Sequence, residues 1–371
     1  MFEKQRQEAG DNSQQIQADT VIINSGIDEK RAREIVDEKL HEVIAGYTQE
    51  AHAIAKERID LFANDLIPRL VKNNLLEKLK DPSIQILLTE AQKSAASTER
   101  TADYELLSEL LIHRAKNGLN RNIRAGVDRA VEIVDEITDE SLLGLTVAYS
   151  VSQWVPTTGN LDDGLNTLNS IFGKVIYATL PRGNEWIEHL DVLNAIRINS
   201  FGSLKKIDKY YPEALSGYVD VGIDKTSENY QEAIEIVKEA DLPKDILCDH
   251  ELRPGYVRLR ILSIDRVDLL SVTRQQKINI GGQEIILPIH IGITDNQKES
   301  IKKIYALYSN DAELKAQNVS KFIEKWDEYD NLKNLRAWWD AIPVSYTITP
   351  VGRVLAHANA QRCDPNLPAL N

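Results

Sequence analysis

Between Ser13 and Asn24 the chain follows the two-residue rhythm of a strand. Ile16, Ala18, Thr20 and Ile22 fall on one face, and Gln15, Gln17, Asp19, Val21 and Ile23 on the other. The run ends in β-branched or polar residues, which favour extended backbone. No second strand follows within hairpin distance. Its edge therefore calls for a partner, either a sheet elsewhere in the chain or another copy.

Helical rhythm starts at once after Ser25-Gly26. Ser25 or Asp28 can cap the helix, with Asp28 and Glu29 favourable at its positive end. Ala32, Val36, Leu40, Val43, Tyr47, Ala51 and Ile54 recur with an eleven-residue period, and Ile35, Ile44, Ala55, Ile59, Phe62 and Leu66 form a second lane. This predicts one amphipathic helix of roughly 40 residues, about 60 Å long, which Pro68 kinks or ends. The period makes it straight or faintly right-handed in any coiled coil. Such a stripe is either the inside of a large helical domain or a seam between copies, and the lone strand beside it favours the seam. Ile16, Ala18, Thr20, Ile22, Val36, Leu40, Val43 and Tyr47 are accordingly the candidate oligomer interface, and a homo-oligomer is the expected state.

Further helices are expected to residue 156, with Asp81 capping and Pro82 opening one of them. Pro156-Thr-Thr-Gly-Asn160 is the clearest domain edge. Shorter, interrupted helices follow to about Asp241. The texture changes near Leu252. Tyr256–Ile261 alternates, and Lys277–Leu287 reads as a hairpin about Gly281-Gly282, with Pro288 marking an edge strand. Beyond it, helices over Asn296–Tyr308, Lys315–Tyr329 and Asn331–Ile342, an extended Val344–Thr349 and a helix from Pro350 resemble a winged helix.

The expected fold is mainly α, in five parts. These are an N-terminal β-strand leader (1–26), a helical domain with the long N-terminal helix (27–156), a second helical region (157–251), a small β-rich segment (252–294) and a C-terminal winged-helix-like domain (295–371).

Charge qualifies the winged-helix reading. The chain of 371 residues carries a net charge of −13, which argues against a nucleic-acid coat. Residues 295–371 hold ten acidic and ten basic side chains, whereas DNA readers are visibly basic. If this block read DNA, Asn331, Lys333, Asn334 and Arg336 would make the contacts, and Asp340 on the same face would repel phosphate. The tryptophans between Trp326 and Trp339 read as the core of a small domain rather than a stacking platform. Cys248 and Cys363, far apart, make no disulfide framework and fit a reducing cytoplasm. The first residues have no signal-peptide run. Leu142–Val155 is shorter than the roughly twenty apolar residues of a bilayer span, so no membrane association is expected.

Catalytic signatures fail on inspection. A phosphate loop needs Gly, four residues, then Gly-Lys-Ser/Thr. Gly173-Lys174 is followed by Val175, and Leu168 stands where the first glycine belongs. Gly-x-Gly-x-x-Gly and serine nucleophile elbows are absent. Cys248-Asp249-His250 has no second ligand pair nearby for zinc. His357, four residues after Arg353, reads as a partly buried polar residue. Asp162-Asp163 and Asp135-Glu136 read as caps and turns. No catalytic, cofactor-binding or metal-binding residue and no cofactor is expected. An enzyme of unfamiliar design would need a deep pocket with titratable groups of perturbed pKa.

Three elements carry a resemblance. They are Gly10-Asp11-Asn12-Ser13 with Ile16-Gln17-Ala18 and Val21–Asn24, Lys80-Asp81-Pro82 leading to Glu90-Ala91-Gln92, and the closing set Thr349, Gly352, Ala356, Ala358 and Asn359. Over most of its length the chain resembles an uncharacterised bacterial family found sporadically in accessory genomes. It departs at Asp19, where the leader more often shows Gly. The resemblance transfers no activity, and it implies a role in genome conflict such as phage defence. The functional expectation is a cytoplasmic, non-enzymatic, self-assembling scaffold or sensor whose C-terminal block recognises a protein partner. The alternative is a DNA-binding regulator that dimerises through the long helix.

Overall fold

The computed structural model describes residues 26–118, 120–199, 201–280 and 283–370, and for 271–291 it describes the backbone. The leader with Ile16, Ala18, Thr20 and Ile22 lies outside these residues. The described chain is mainly helical. The 40-residue helix is in fact two, α1 (Glu29–Ile44) and α2 (Gln49–Lys72), packed against each other. Asp28 caps α1, accepting from the Arg31 amide at 2.8 Å. The chain then turns through Gly46, and Thr48 caps α2. A glycine followed by an N-cap residue supplies both a flexible break and a fresh start. Pro68 sits inside α2 without ending it.

The expected seam therefore closes within one chain. Val36 and Leu40 are 2% and 3% exposed. They pack with Phe62, Leu66, Ala55 and Ile59 of α2 and with the helix that follows. Neither is free to face a second copy. Val43 is half-buried against the same cluster, and Tyr47, at the turn, is exposed.

Asp81 caps α3 (Pro82–Ser97), with Pro82 in its first turn as its missing N–H allows. Then come α4 (Thr101–Lys116), α5 (Arg121–Glu132), α6 (Asp139–Gln153), α7 (Leu161–Val175) and α8 (Glu185–Val192). Strand β1 (Ile196–Asn199) precedes two short helices, α9 (Ile207–Ala214) and α10 (Ser216–Val219). One core runs from Ala32 to Leu370 and takes in residues on both sides of Pro156–Asn160. That stretch is thus a bend within one packed body.

A smaller second core lies beside it. It holds β2 (Ile223–Asp224), α11 (Glu228–Glu239), β3 (Leu247–Asp249) and β4 (Tyr256–Leu259), in a sheet ordered β2-β4-β3. The expected hairpin is present as β5 (Ser271–Ile280) and β6 (Gln283–Gly292), antiparallel from Ser271↔Gly292 to Ile280↔Gln283. Its strands are about 30 Å long and pair with each other, with no comparable contact to another helix or strand.

The C-terminal block is not a separate winged helix. α12 (Asp295–Ala306) belongs to the second core through Ile301 and Ile304. α13 (Ala312–Asp327) packs on α9 and α10, and α14 (Asp330–Trp339) lies on α7. The expected wing, β7 (Ser345–Ile348), pairs antiparallel with β1, some 150 residues earlier, in the register Ile196↔Ile348 to Asn199↔Ser345. α15 (Pro350–Cys363) fits against α4, α5 and α6. One extended segment looks alike in sequence whether its partner is near or far, and here long-range pairing decides.

A candidate ligand cavity under the C-terminal tail

The closing motif positions α15. Thr349 caps the helix, accepting from the Gly352 amide at 3.2 Å, and its hydroxyl donates to the Asn194 carbonyl at 2.7 Å. A Cβ on Gly352 would stand 2.0 Å from the Ala195 carbonyl oxygen, so glycine lets the helix touch the start of β1. Asn359, fully buried, donates to Thr146 Oγ1 at 2.8 Å and accepts from Arg362 Nε at 2.9 Å. Arg362 reaches Glu105 and lies over the Tyr177 ring.

The same helix carries His357 into an aromatic cluster. Its Nδ1 is 3.1 Å from the Tyr149 hydroxyl. Its ring centre is 5.5 Å from that of Trp154 and 6.3 Å from that of His113 on α4. Four of the nine buried side-chain polar atoms without a hydrogen-bond partner among the described residues sit here: His357 Nε2, Trp154 Nε1 and both ring nitrogens of His113. Buried polar groups are ordinarily paired, so their concentration singles out this place. Burial pushes the His113 ring below the ordinary range, with the Leu370 backbone working the other way. Burial also brings His357 down to about 4, and His113 beside it adds to the effect. Both rings are neutral at pH 7. Burial holds Tyr149 protonated, raising it to about 12.

His113 forms part of the wall of a cavity of about 420 Å³ between α2, α4 and the tail that follows α15. Arg69, Lys72, Glu109 and Lys116 line it, with Pro365 and Ala369 from the tail. Arg69 bonds Asp65 and Glu109. Lys72 and Lys116 line the same wall, and Lys116 acts with Arg69 against the burial of Glu109. Burial raises the Glu109 carboxyl, opposed by Arg69. The arrangement can hold an anion. Among the described residues that line it there is no serine or cysteine.

The nucleic-acid candidates all lie on α14. Asn331 donates to the Asn169 carbonyl at 3.3 Å, and Arg336 is held by Asp327. Lys333 and Asn334 are exposed. Asn331 and Asn334 border a larger cavity, about 700 Å³, beside Trp186 and Trp338. There the Trp338 indole already donates to the Pro181 carbonyl. Asp340 accepts from the Ile207 amide at the start of α9. Elsewhere, Gly173-Lys174 is helical and Lys174 pairs with Asp364. His250 lies 2.8 Å from the Asp220 carbonyl. No group of three or more potential metal ligands is assembled among the described residues.

Sequence reasoning passed over His113. Its signal was there, since it continues the buried lane of Leu106 and Leu110 at helical spacing. His357 was read as partly buried and is 2% exposed.

No curated protein and no solved structure matches the chain. A family model with the description ":-like" matches residues 26–368. That match spans nearly the whole chain, the buried histidines and the closing Thr349–Asn359 motif included, and the chain belongs to this family.

Proposed function

We propose that the protein is a non-enzymatic, self-assembling scaffold or sensor of the cytoplasm. The observation that carries this reading is the β5–β6 arm. Its two strands pair with each other over their full length, and their sequence is rich in aliphatic residues, with Val272, Ile278 and Ile280 in one and Ile285, Ile286, Leu287, Ile289 and Ile291 in the other. A two-stranded hairpin standing alone is marginally stable in water, and one so rich in aliphatic residues gains by packing on another copy. The alternating leader is a second such element by its sequence pattern. The long-helix seam has no part in this reading, because its central residues are covered within the chain.

Light scattering tests it. The full chain should give a mass at a multiple of 41.9 kDa, and Ile285→Lys with Leu287→Lys should lower it. A full chain that stays at the single-chain mass at every concentration would remove the proposal. A role in genome conflict such as phage defence accords with the sporadic distribution of the family that the chain resembles. Its expression in a sensitive host should lower phage plating, and unchanged plating across a varied panel would count against that role.

A further inference from the structure

Beside the start of α15 lies another cavity, of about 630 Å³, between the first half of α5, the residues around the start of β1 and the first turns of α15. The two helices approach closely there, and a Cβ on Gly126 would stand 3.1 Å from the Pro350 carbonyl oxygen. The floor is aliphatic. Val354 and Leu370 belong to the main core, and Ile123 and Val351 are half-buried against it. Among the described residues no aromatic side chain lines this cavity. Its rim is polar and positive. Arg197 and Arg353 line it and are exposed, and no Asp or Glu lines it among the described residues. The Arg353 side chain makes no hydrogen bond or salt bridge among the described residues. Arg197 donates to the carbonyl of its own neighbour Ile196, at 3.0 Å, and makes no salt bridge among the described residues. The Asn122 side chain on the same rim is equally unengaged among the described residues.

An apolar floor with a few polar groups around it is the ordinary form of a small-molecule site, and the volume falls within the range of about 300–1,000 Å³ typical of such sites. A flat ring would find no aromatic side chain to stack on. A flexible hydrocarbon chain can follow an aliphatic floor and gains with each methylene it buries. Arginine presents a planar fork of donors that matches a carboxylate. We infer that this groove binds a single-chain amphiphilic carboxylate, its hydrocarbon chain laid on Ile123, Val351 and Val354 and its head held by the rim arginines. Charge complementarity carries the choice of head, since a neutral or cationic occupant would gain nothing from two arginines that meet no acid on that rim. No residue of the β5–β6 arm lines the groove, so occupancy and assembly are separate properties, read by separate measurements.

The test titrates the full chain by calorimetry with hexanoate, octanoate and decanoate, each below its micellar concentration and at constant ionic strength. Saturable binding is expected, tightening by roughly fourfold for each added methylene that the floor covers. Octanol, the uncharged match of octanoate, should bind about tenfold more weakly. Arg197→Glu combined with Arg353→Glu should weaken decanoate by about tenfold or more. Both side chains are exposed, so the melting temperature of that variant should stay near that of the parent. Arg182→Glu, on the larger cavity beside Trp186, should bind decanoate as the parent does. Absence of saturable binding, an affinity indifferent to chain length, octanol binding as tightly as octanoate, or an equal loss in Arg182→Glu would overturn the inference. Hexaglutamate bound in place of decanoate would make the two arginines a docking point for an acidic peptide, and would overturn it as well.

Discussion

Arg258 is wholly buried, and every feature around it answers the cost of that burial. Its guanidinium makes two bonds of 2.7 Å to Glu251, donates to the Gly217, Leu259 and Gly159 carbonyls, and lies over the Tyr218 ring. Burial raises the Glu251 carboxyl, and Arg258 outweighs this to hold it below the ordinary range. Breaking one side of a buried pair leaves an uncompensated charge. Glu251→Gln should therefore cost about 3–5 kcal/mol in denaturant unfolding, and a loss below 1 kcal/mol would contradict this account. Protonation gives a second prediction at this scale. Burial brings His250 and His357 each down to about 4, below the value of about 6.5 for a free histidine. Between those values the unfolded chain binds more protons, so stability rises with pH there. The melting temperature should fall as pH drops from 6.5 toward 4, and His357→Gln should flatten part of that fall. Parallel profiles for the two proteins would show that His357 does not titrate as its burial dictates.

At the scale of elements, the start of α15 shows how a motif acts through contact. Thr349 ties the helix cap to the residues just before β1, and Gly352 permits the approach. Ala356 and Ala358 are buried small residues on the same helix. Gly352→Ala must move the helix from Ala195 and should cost about 1–3 kcal/mol, as overpacking does. Thr349→Val removes the cap and should cost about 1 kcal/mol. Both are read by chemical denaturation, and a neutral Gly352→Ala would show that the contact yields freely. The α1–α2 break makes the complementary point. A continuous apolar rhythm predicts one helix, yet one glycine and one capping threonine suffice to fold it back once each half can bury the other.

At the scale of the molecule, two cores share a body from which one arm is distinct. Because the β5 and β6 backbones pair with each other and have no comparable contact with another helix or strand, replacing residues 272–291 by a short glycine linker should leave the melting temperature nearly unchanged. The same variant should lose the assembled mass. A large drop in melting temperature would instead make the arm part of the fold. Among the described residues no helix is long and apolar enough to cross a membrane.

Much of the secondary structure was legible in the residues themselves. Helical periodicity, Asp81-Pro82 as a helix start and a hairpin over Lys277–Leu287, which the structure extends to 271–292, all depend on neighbours within a few positions, where local sterics and capping act. The pairing of β7 with β1, the burial of Val36 and Leu40 inside the chain and the convergence of His113, Tyr149, Trp154 and His357 were decided by tertiary structure alone. Each joins segments far apart in sequence, and which apolar face meets which is settled by packing the whole core at once.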